Sequence, residues 1–274
     1  RKNQFEVSFD QLWLKLESLG LVDEKHFQSI LNTGMYKYCP DTMNVTQAQH
    51  EALTSIIHTI DSGETFPHIG QGFLARPILI EGDAGTGKTV VATTLFYYLK
   101  THPKYKSLKI GLVYSNPAMR NVIQQVFAHT PGLRKTDVIA PIDVTKHHYD
   151  IIICDEAQRL RQAKNIGRYI VHFKKGNERL HLDNSHDELD WLLLNAGRLI
   201  LFYDPKQIVC PSDISQTKFD GRLKDRKRGI RPVELKEQMR IHAGSQYVPY
   251  IYDILFQRNN ISKKFVNYDF KLFS

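Results

Sequence analysis

Gly82-Asp83-Ala84-Gly85-Thr86-Gly87-Lys88-Thr89 is the stretch that decides the fold. It fits G-x-x-x-x-G-K-[ST], the Walker A or P-loop pattern. Glycines let the backbone curl until its N–H groups point inward at phosphate oxygens, and the helix that follows turns its positive end to the same anion. Gly82, Asp83, Ala84, Gly85, Thr86, Gly87, Lys88 and Thr89 are therefore the candidate nucleotide-binding residues. Lys88 would reach the β and γ phosphates, and the Thr89 hydroxyl would ligate Mg²⁺. The flanks agree with this reading. Pro77-Ile78-Leu79-Ile80-Glu81 reads as a buried strand entering the loop, and Val91, Leu95 and Leu99 give the helix leaving it one apolar face.

Further along, strand-like and helix-like segments alternate, as in a parallel α/β sheet flanked by helices. Strands are expected at 78–81, 109–114, 151–154 and 199–203, all short and apolar, as strands covered on both faces must be. Helical patterns occupy 46–60, 88–101, 117–129 and 186–196. The third strand runs Ile151-Ile152-Ile153-Cys154-Asp155-Glu156 and ends on two carboxylates. Asp155 would hold Mg²⁺ through water, and Glu156 would polarise the attacking water as general base. Two acids at a strand-to-helix turn also suit the start of a helix, so the P-loop upstream is what favours the catalytic reading. Residues 1–44 read as a small helical element. There Phe9, Leu12, Trp13, Leu16 and Leu19 recur at three- and four-residue spacing, and a second short helix ends at Gly34.

Composition sets the outer bounds. With 274 residues, 42% hydrophobic and 24% charged, the chain can fill a core, and disordered or collagen-like architectures are excluded. No apolar run approaches the roughly 18–20 residues that cross a bilayer. Cys39, Cys154 and Cys210 lie far apart without a CxxC pair, and the dispersed histidines, His147-His148 included, lack metal-ligand spacing. A reducing, cytoplasmic setting is expected. The net charge of +8 suits a polyanion partner without requiring one. A basic stretch at 220–231, containing Arg222, Lys224, Arg226, Lys227, Arg228 and Arg231, reads as a loop or connector. Since the chain opens on Arg1 rather than Met, both ends are expected to be cut points in a longer protein.

Asp155-Glu156-Ala157-Gln158 resembles motif II, here a DEAQ box, of superfamily 1 helicases and related nucleic-acid-dependent ATPases. Their other first-domain motifs follow in order. Val45-Thr46-Gln47-Ala48-Gln49 resembles the Q motif, which implies that Gln49 reads the adenine edge; Thr46 and Gln49 equally form a capping box. Leu112-Val113-Tyr114-Ser115-Asn116-Pro117-Ala118 resembles motif Ia, whose polar residues touch the backbone of a single strand. Leu201-Phe202-Tyr203-Asp204-Pro205-Lys206-Gln207 resembles motif III, implying that Gln207 senses the γ-phosphate, although Tyr203 stands where glycine is usual. Glu237-Gln238-Met239-Arg240 resembles motif IV, implying that Arg240 acts as an arginine finger. Taken together, residues 45–255 most resemble the bacterial and phage helicase-like family related to the helicase domain of long Schlafen proteins.

The resemblance implies a RecA-like P-loop NTPase over 45–231, preceded by the helical element at 1–44. The incomplete start of a second RecA-like domain would follow at 232–274, with a helix around Tyr247, Ile251 and Leu255 and a strand near 264–272. Motifs V and VI after Ser274 would favour a motor, and their absence there would favour a switch. The expected activity is ATP hydrolysis with Mg²⁺, as the core of a helicase or translocase on single-stranded DNA or RNA, with no membrane partner. The alternative is a regulatory NTPase switch acting on a partner or fused effector, such as a nuclease, without translocation. A GTPase is disfavoured because no Asn-Lys-x-Asp guanine-reading motif occurs. Neither the Gln49 nor the Gln207 segment has a role in a small-molecule kinase.

Overall fold

The apolar runs around the P-loop become strands that two separate cores read alternately. The computed structural model describes residues 45–62, 77–224, 233–235 and 247–255, with single positions at 15 and 40. The helices expected within 1–44, the strand near 264–272, positions 225–231 of the basic stretch, and Arg240 lie outside the described residues. Among the described residues six strands are formed: β1 (Pro77–Gly82), β2 (Ile110–Tyr114), β3 (Val138–Ile139), β4 (Tyr149–Asp155), β5 (Ala196–Tyr203) and β6 (Val233–Leu235). All their pairings are parallel, and their order across the sheet is β3-β2-β4-β5-β1-β6. The helices are α1 (Gln47–Asp61), α2 (Lys88–Thr101), α3 (Pro117–His129), α4 (Pro141–Val144), α5 (Ile170–Arg179), α6 (Glu188–Asn195), α7 (Gln216–Lys224) and α8 (Tyr247–Leu255).

Side chains alternate faces along a strand, and the burial follows that period. Ile78, Ile80, Ile151, Ile153, Ile200 and Phe202 face one core with Ile56 of α1, Val91, Leu95 and Leu99 of α2, and Ile123 and Phe127 of α3. Their neighbours Leu79, Ile152, Cys154, Leu199, Leu201 and Tyr203 face the other, with Leu189, Leu192 and Leu193 of α6 and Phe219 and Leu223 of α7. Helices thus cover both faces of a parallel sheet. The capping box read at the start of α1 is present: the Thr46 hydroxyl accepts from the Gln49 N–H at 3.3 Å, and the Thr46 N–H donates to Gln49 Oε1 at 3.0 Å.

One sequence expectation is corrected: residues 220–224 are not a connector but the second half of α7, whose buried residues, among those described, are Phe219 and Leu223. Beyond them β6 extends the sheet by pairing with β1, Gly82 opposite Leu235. Tyr203, the departure from glycine in the motif III-like segment, has a packing reason. Its ring is buried and stacks on Phe219 with centroids 4.2 Å apart, fastening α7 to the sheet. No helix among the described residues is long and apolar enough to cross a membrane.

One buried carboxyl makes stability depend on pH. Glu188, at the start of α6, accepts from the Arg161 N–H at 2.8 Å and the Tyr169 hydroxyl at 3.0 Å. Burial pushes its pKa up to about 7 from an ordinary 4.5; those two donors and the Arg161 charge oppose the rise, and the Asp187 charge adds to it. The folded chain therefore holds this proton more tightly than the unfolded chain. The stability it contributes is complete below about pH 4.5 and is lost as pH rises through about 7. The thermal midpoint is expected to be a few degrees higher at pH 6 than at pH 8, since one kcal/mol moves a domain of this size by about 2–4 °C. Melting curves of the chain and of Glu188→Gln check this. The difference should shrink in the variant, and equal differences in both would contradict it.

Candidate nucleotide site

The strand order brings the motif loops together. The P-loop strand β1 and the acidic strand β4 flank β5, so three loops emerge side by side at the carboxyl edge of the sheet. That edge is where ligands of open α/β sheets bind. Glu81 lies opposite Tyr203, and Cys154 opposite Leu201, which sets Gly82 beside Asp204 and Asp155 beside Phe202.

Gly87 caps α2 with φ +83°, a left-handed conformation that suits glycine. A Cβ there would also land on the Gln49 amide nitrogen. Gln49 is buried, and its Nε2 donates to the Thr86 carbonyl at 3.4 Å, so it braces the 82–89 loop from α1. One amide N–H and one carbonyl lone pair remain to it after these bonds. Lys88 is buried as well. Its ammonium donates to the Gly82 carbonyl at 2.6 Å, to the Asp83 carbonyl at 3.1 Å and to Asp204 Oδ2 at 3.3 Å. Asp83 forms an ion pair with Lys206 at 2.8 Å, and the Lys206 ammonium sits 4.3 Å from the Tyr252 ring centroid, linking the loop to α8.

Asp155 ends β4 fully buried. Burial raises its pKa, opposed by the Thr89 and Tyr114 hydroxyls, the Glu156 N–H and the charge of Lys88. The two hydroxyls lie close to the carboxylate, yet among the described residues no donor reaches Oδ2 in hydrogen-bond geometry. A buried carboxylate oxygen without a donor, next to a threonine hydroxyl, suits a hard, oxygen-seeking cation such as Mg²⁺. Among the described residues no group of three His, Cys, Asp or Glu side chains could hold a metal on its own. Thr89 and Asp155 would therefore share such an ion with phosphate and water oxygens.

Glu156 follows with φ +55° and ψ +46°. A non-glycine residue held in this region costs of order 1–3 kcal/mol, and such residues cluster at functional sites. Burial raises its pKa first, then the Asp155 charge; Lys88 and Arg159 oppose. Its Oε2 accepts a short hydrogen bond from Gln158 Nε2, and Gln158 Oε1 accepts from the Asp204 N–H at 3.1 Å. Gln207 Nε2 donates to Asp204 Oδ2 at 2.8 Å. The structure thus gathers Gln49, the 82–89 loop, Asp155, Glu156 and Gln207 around one edge, with Arg240 outside the described residues. Gln158 and Asp204 were not singled out in the sequence, although both stand inside motif-like segments. At the motif Ia-like segment, Asn116 caps α3 by accepting from the Ala118 N–H at 2.9 Å, and the buried Ser115 hydroxyl has no hydrogen-bond partner among the described residues.

Residues 76–274 match the family described as Schlafen group 3, DNA/RNA helicase domain. The chain belongs to that family. This Schlafen group 3 domain has a helicase-like P-loop NTPase fold, a RecA-like parallel sheet with the 82–89 loop leaving the end of β1. No curated protein matches it. Among solved structures it is similar to domain III of the Thermotoga maritima replication initiation protein DnaA. There the identity is 13% and the TM-score 0.36, with 83% of this chain and 77% of that one covered. It is also similar to C. elegans PCH-2, at 15% identity and TM-score 0.31, covering 79% of this chain and 49% of that one. A third likeness is to Bacteroides sp Pif1 in complex with ADP-AlF4, at 15% identity and TM-score 0.36, covering 77% and 46%. The Schlafen group 3 domain spans about half of the PCH-2 and Pif1 chains. Its fold rests on its own strand order, not on these distant likenesses.

Proposed function

We propose that this domain is the ATP-hydrolysing core of a helicase or translocase acting on single-stranded DNA or RNA. The observation that carries the reading is the convergence of Lys88, Thr89, Asp155 and Glu156 on neighbouring loops at one sheet edge. Main-chain N–H groups of the 82–89 loop would cradle the phosphates, and Lys88 would neutralise the β and γ oxygens. Mg²⁺, held by Thr89 and Asp155, would supply charge stabilisation at the phosphates. Glu156 would accept a proton from the attacking water, and Gln207 would sense the terminal phosphate from the end of β5. Gln49 would use its remaining donor and acceptor on the adenine edge. Arg240 would complete the site as an arginine finger.

A single strand would lie along the same edge near Ser115 and Asn116, held chiefly through its phosphates. Cytoplasmic localisation belongs to the same proposal. The test is steady-state ATP turnover with and without single-stranded DNA and RNA oligonucleotides. Stimulation of about tenfold or more by one of them, weakening with added salt, is expected. Turnover indifferent to every strand would overturn the nucleic-acid reading and favour a nucleotide switch acting on a partner or fused effector.

A further inference from the structure

Asp204 touches more of the site than any of the roles above requires. It is fully buried. Its Oδ1 accepts from the Lys206 N–H at 3.1 Å, capping the turn Pro205–Gln207, and its Oδ2 takes both Gln207 Nε2 at 2.8 Å and Lys88 Nζ at 3.3 Å. Its own N–H donates to Gln158, which in turn bonds Glu156. One aspartate therefore contacts the P-loop lysine and the γ-phosphate-sensing glutamine, and sits one side chain away from the general base.

An ammonium has three N–H donors, and those of Lys88 go to two loop carbonyls and to Asp204. A triphosphate can draw Lys88 only by replacing one of these partners. The carbonyls are neutral, so the exchange with energetic weight is anion for anion, phosphate for the Asp204 carboxylate. We propose that Asp204 is a positioning residue: the resting counter-ion that nucleotide phosphates displace from Lys88, and the anchor that holds Gln207 and, through Gln158, Glu156 during turnover. This rests on the ATPase reading above.

Asp204→Asn separates the two halves of the proposal. Asparagine caps a turn as well as aspartate does, so the Lys206 N–H keeps its acceptor. The competing charge is gone, so affinity for a fluorescent, non-hydrolysable ATP analogue should tighten about three- to tenfold. Turnover should fall about tenfold or more, because Gln207 loses its charged acceptor. A residue that merely supported the fold would weaken binding and turnover together. Gln158→Met is the companion variant. It cuts the link to Glu156 but leaves the Lys88–Asp204 pair, so turnover should fall with affinity unchanged.

Analogue titration and steady-state kcat are measured on the chain, on both variants and on Lys88→Ala. Unchanged or weaker analogue binding by a folded Asp204→Asn overturns the proposal. If thermal melting shows that this variant does not fold, Gln158→Met decides: lower kcat at unchanged affinity supports the proposal, and unchanged kcat overturns it. Failure of the ATPase reading looks different, since the unmodified chain would then bind the analogue no better than Lys88→Ala.

Discussion

Glu156→Gln is expected to lower ATP turnover by about 10²–10⁴-fold, the range for losing a positioned general base. Nucleotide affinity should stay within about twofold, because in the proposed site the 82–89 loop and Lys88 would carry the binding. The substitution is nearly isosteric, and a glutamine oxygen can still accept the Gln158 N–H that now goes to Glu156 Oε2. Carboxylate chemistry is therefore the main thing removed. The backbone gives a second reason to expect a large effect. Residue 156 is held at φ +55°, and the side chain is fixed between Gln158 and the buried end of β4. Such a conformation suits a group that must meet its substrate at one angle. Measured kcat and analogue affinity for the variant decide it. A loss below tenfold would move the general base elsewhere, and a parallel loss of affinity would make Glu156 a binding residue.

Much of this site could be read along the sequence because its chemistry is local. Eight consecutive residues make the phosphate loop, and Asp155-Glu156 announces itself at the end of an apolar run. The four long strands were legible for a similar reason: strands covered on both faces are short, continuous and apolar. Elsewhere the polar side of the code hid the structure. α5 buries Phe173 together with Gly176 and Asn177, so its inward face does not look apolar. Gly176 is there because a Cβ would come within 2.6 Å of the Trp191 ring, and Asn177 because its Oδ1 accepts from the Trp191 indole N–H at 2.6 Å. Neither reason is visible before α5 and α6 are packed together. β3 and β6, two and three residues long, are too short to show a period. Asp204 was hidden by distance. It lies 116 residues from Lys88, and only the insertion of β5 between β4 and β1 makes the two neighbours.

Lys88→Ala is expected to have an effect of comparable size by a different route. The variant removes a buried positive charge aimed at the loop where phosphate would sit, and it leaves the Asp204 carboxylate without its cation. Electrostatic stabilisers of this kind are worth about 10²–10³-fold in turnover. Nucleotide binding should also weaken, unlike in Glu156→Gln, because Lys88 would contact the phosphates in the ground state as well as in the transition state. Since the lost cation also leaves a buried carboxylate unpaired, the melting temperature should be recorded alongside. The most direct measurement is phosphate release from ATP with Mg²⁺ by the unmodified chain and by folded Lys88→Ala under identical conditions. Hydrolysis at this site predicts turnover by the first that falls at least about a hundredfold in the second. Equal release by both chains would contradict it.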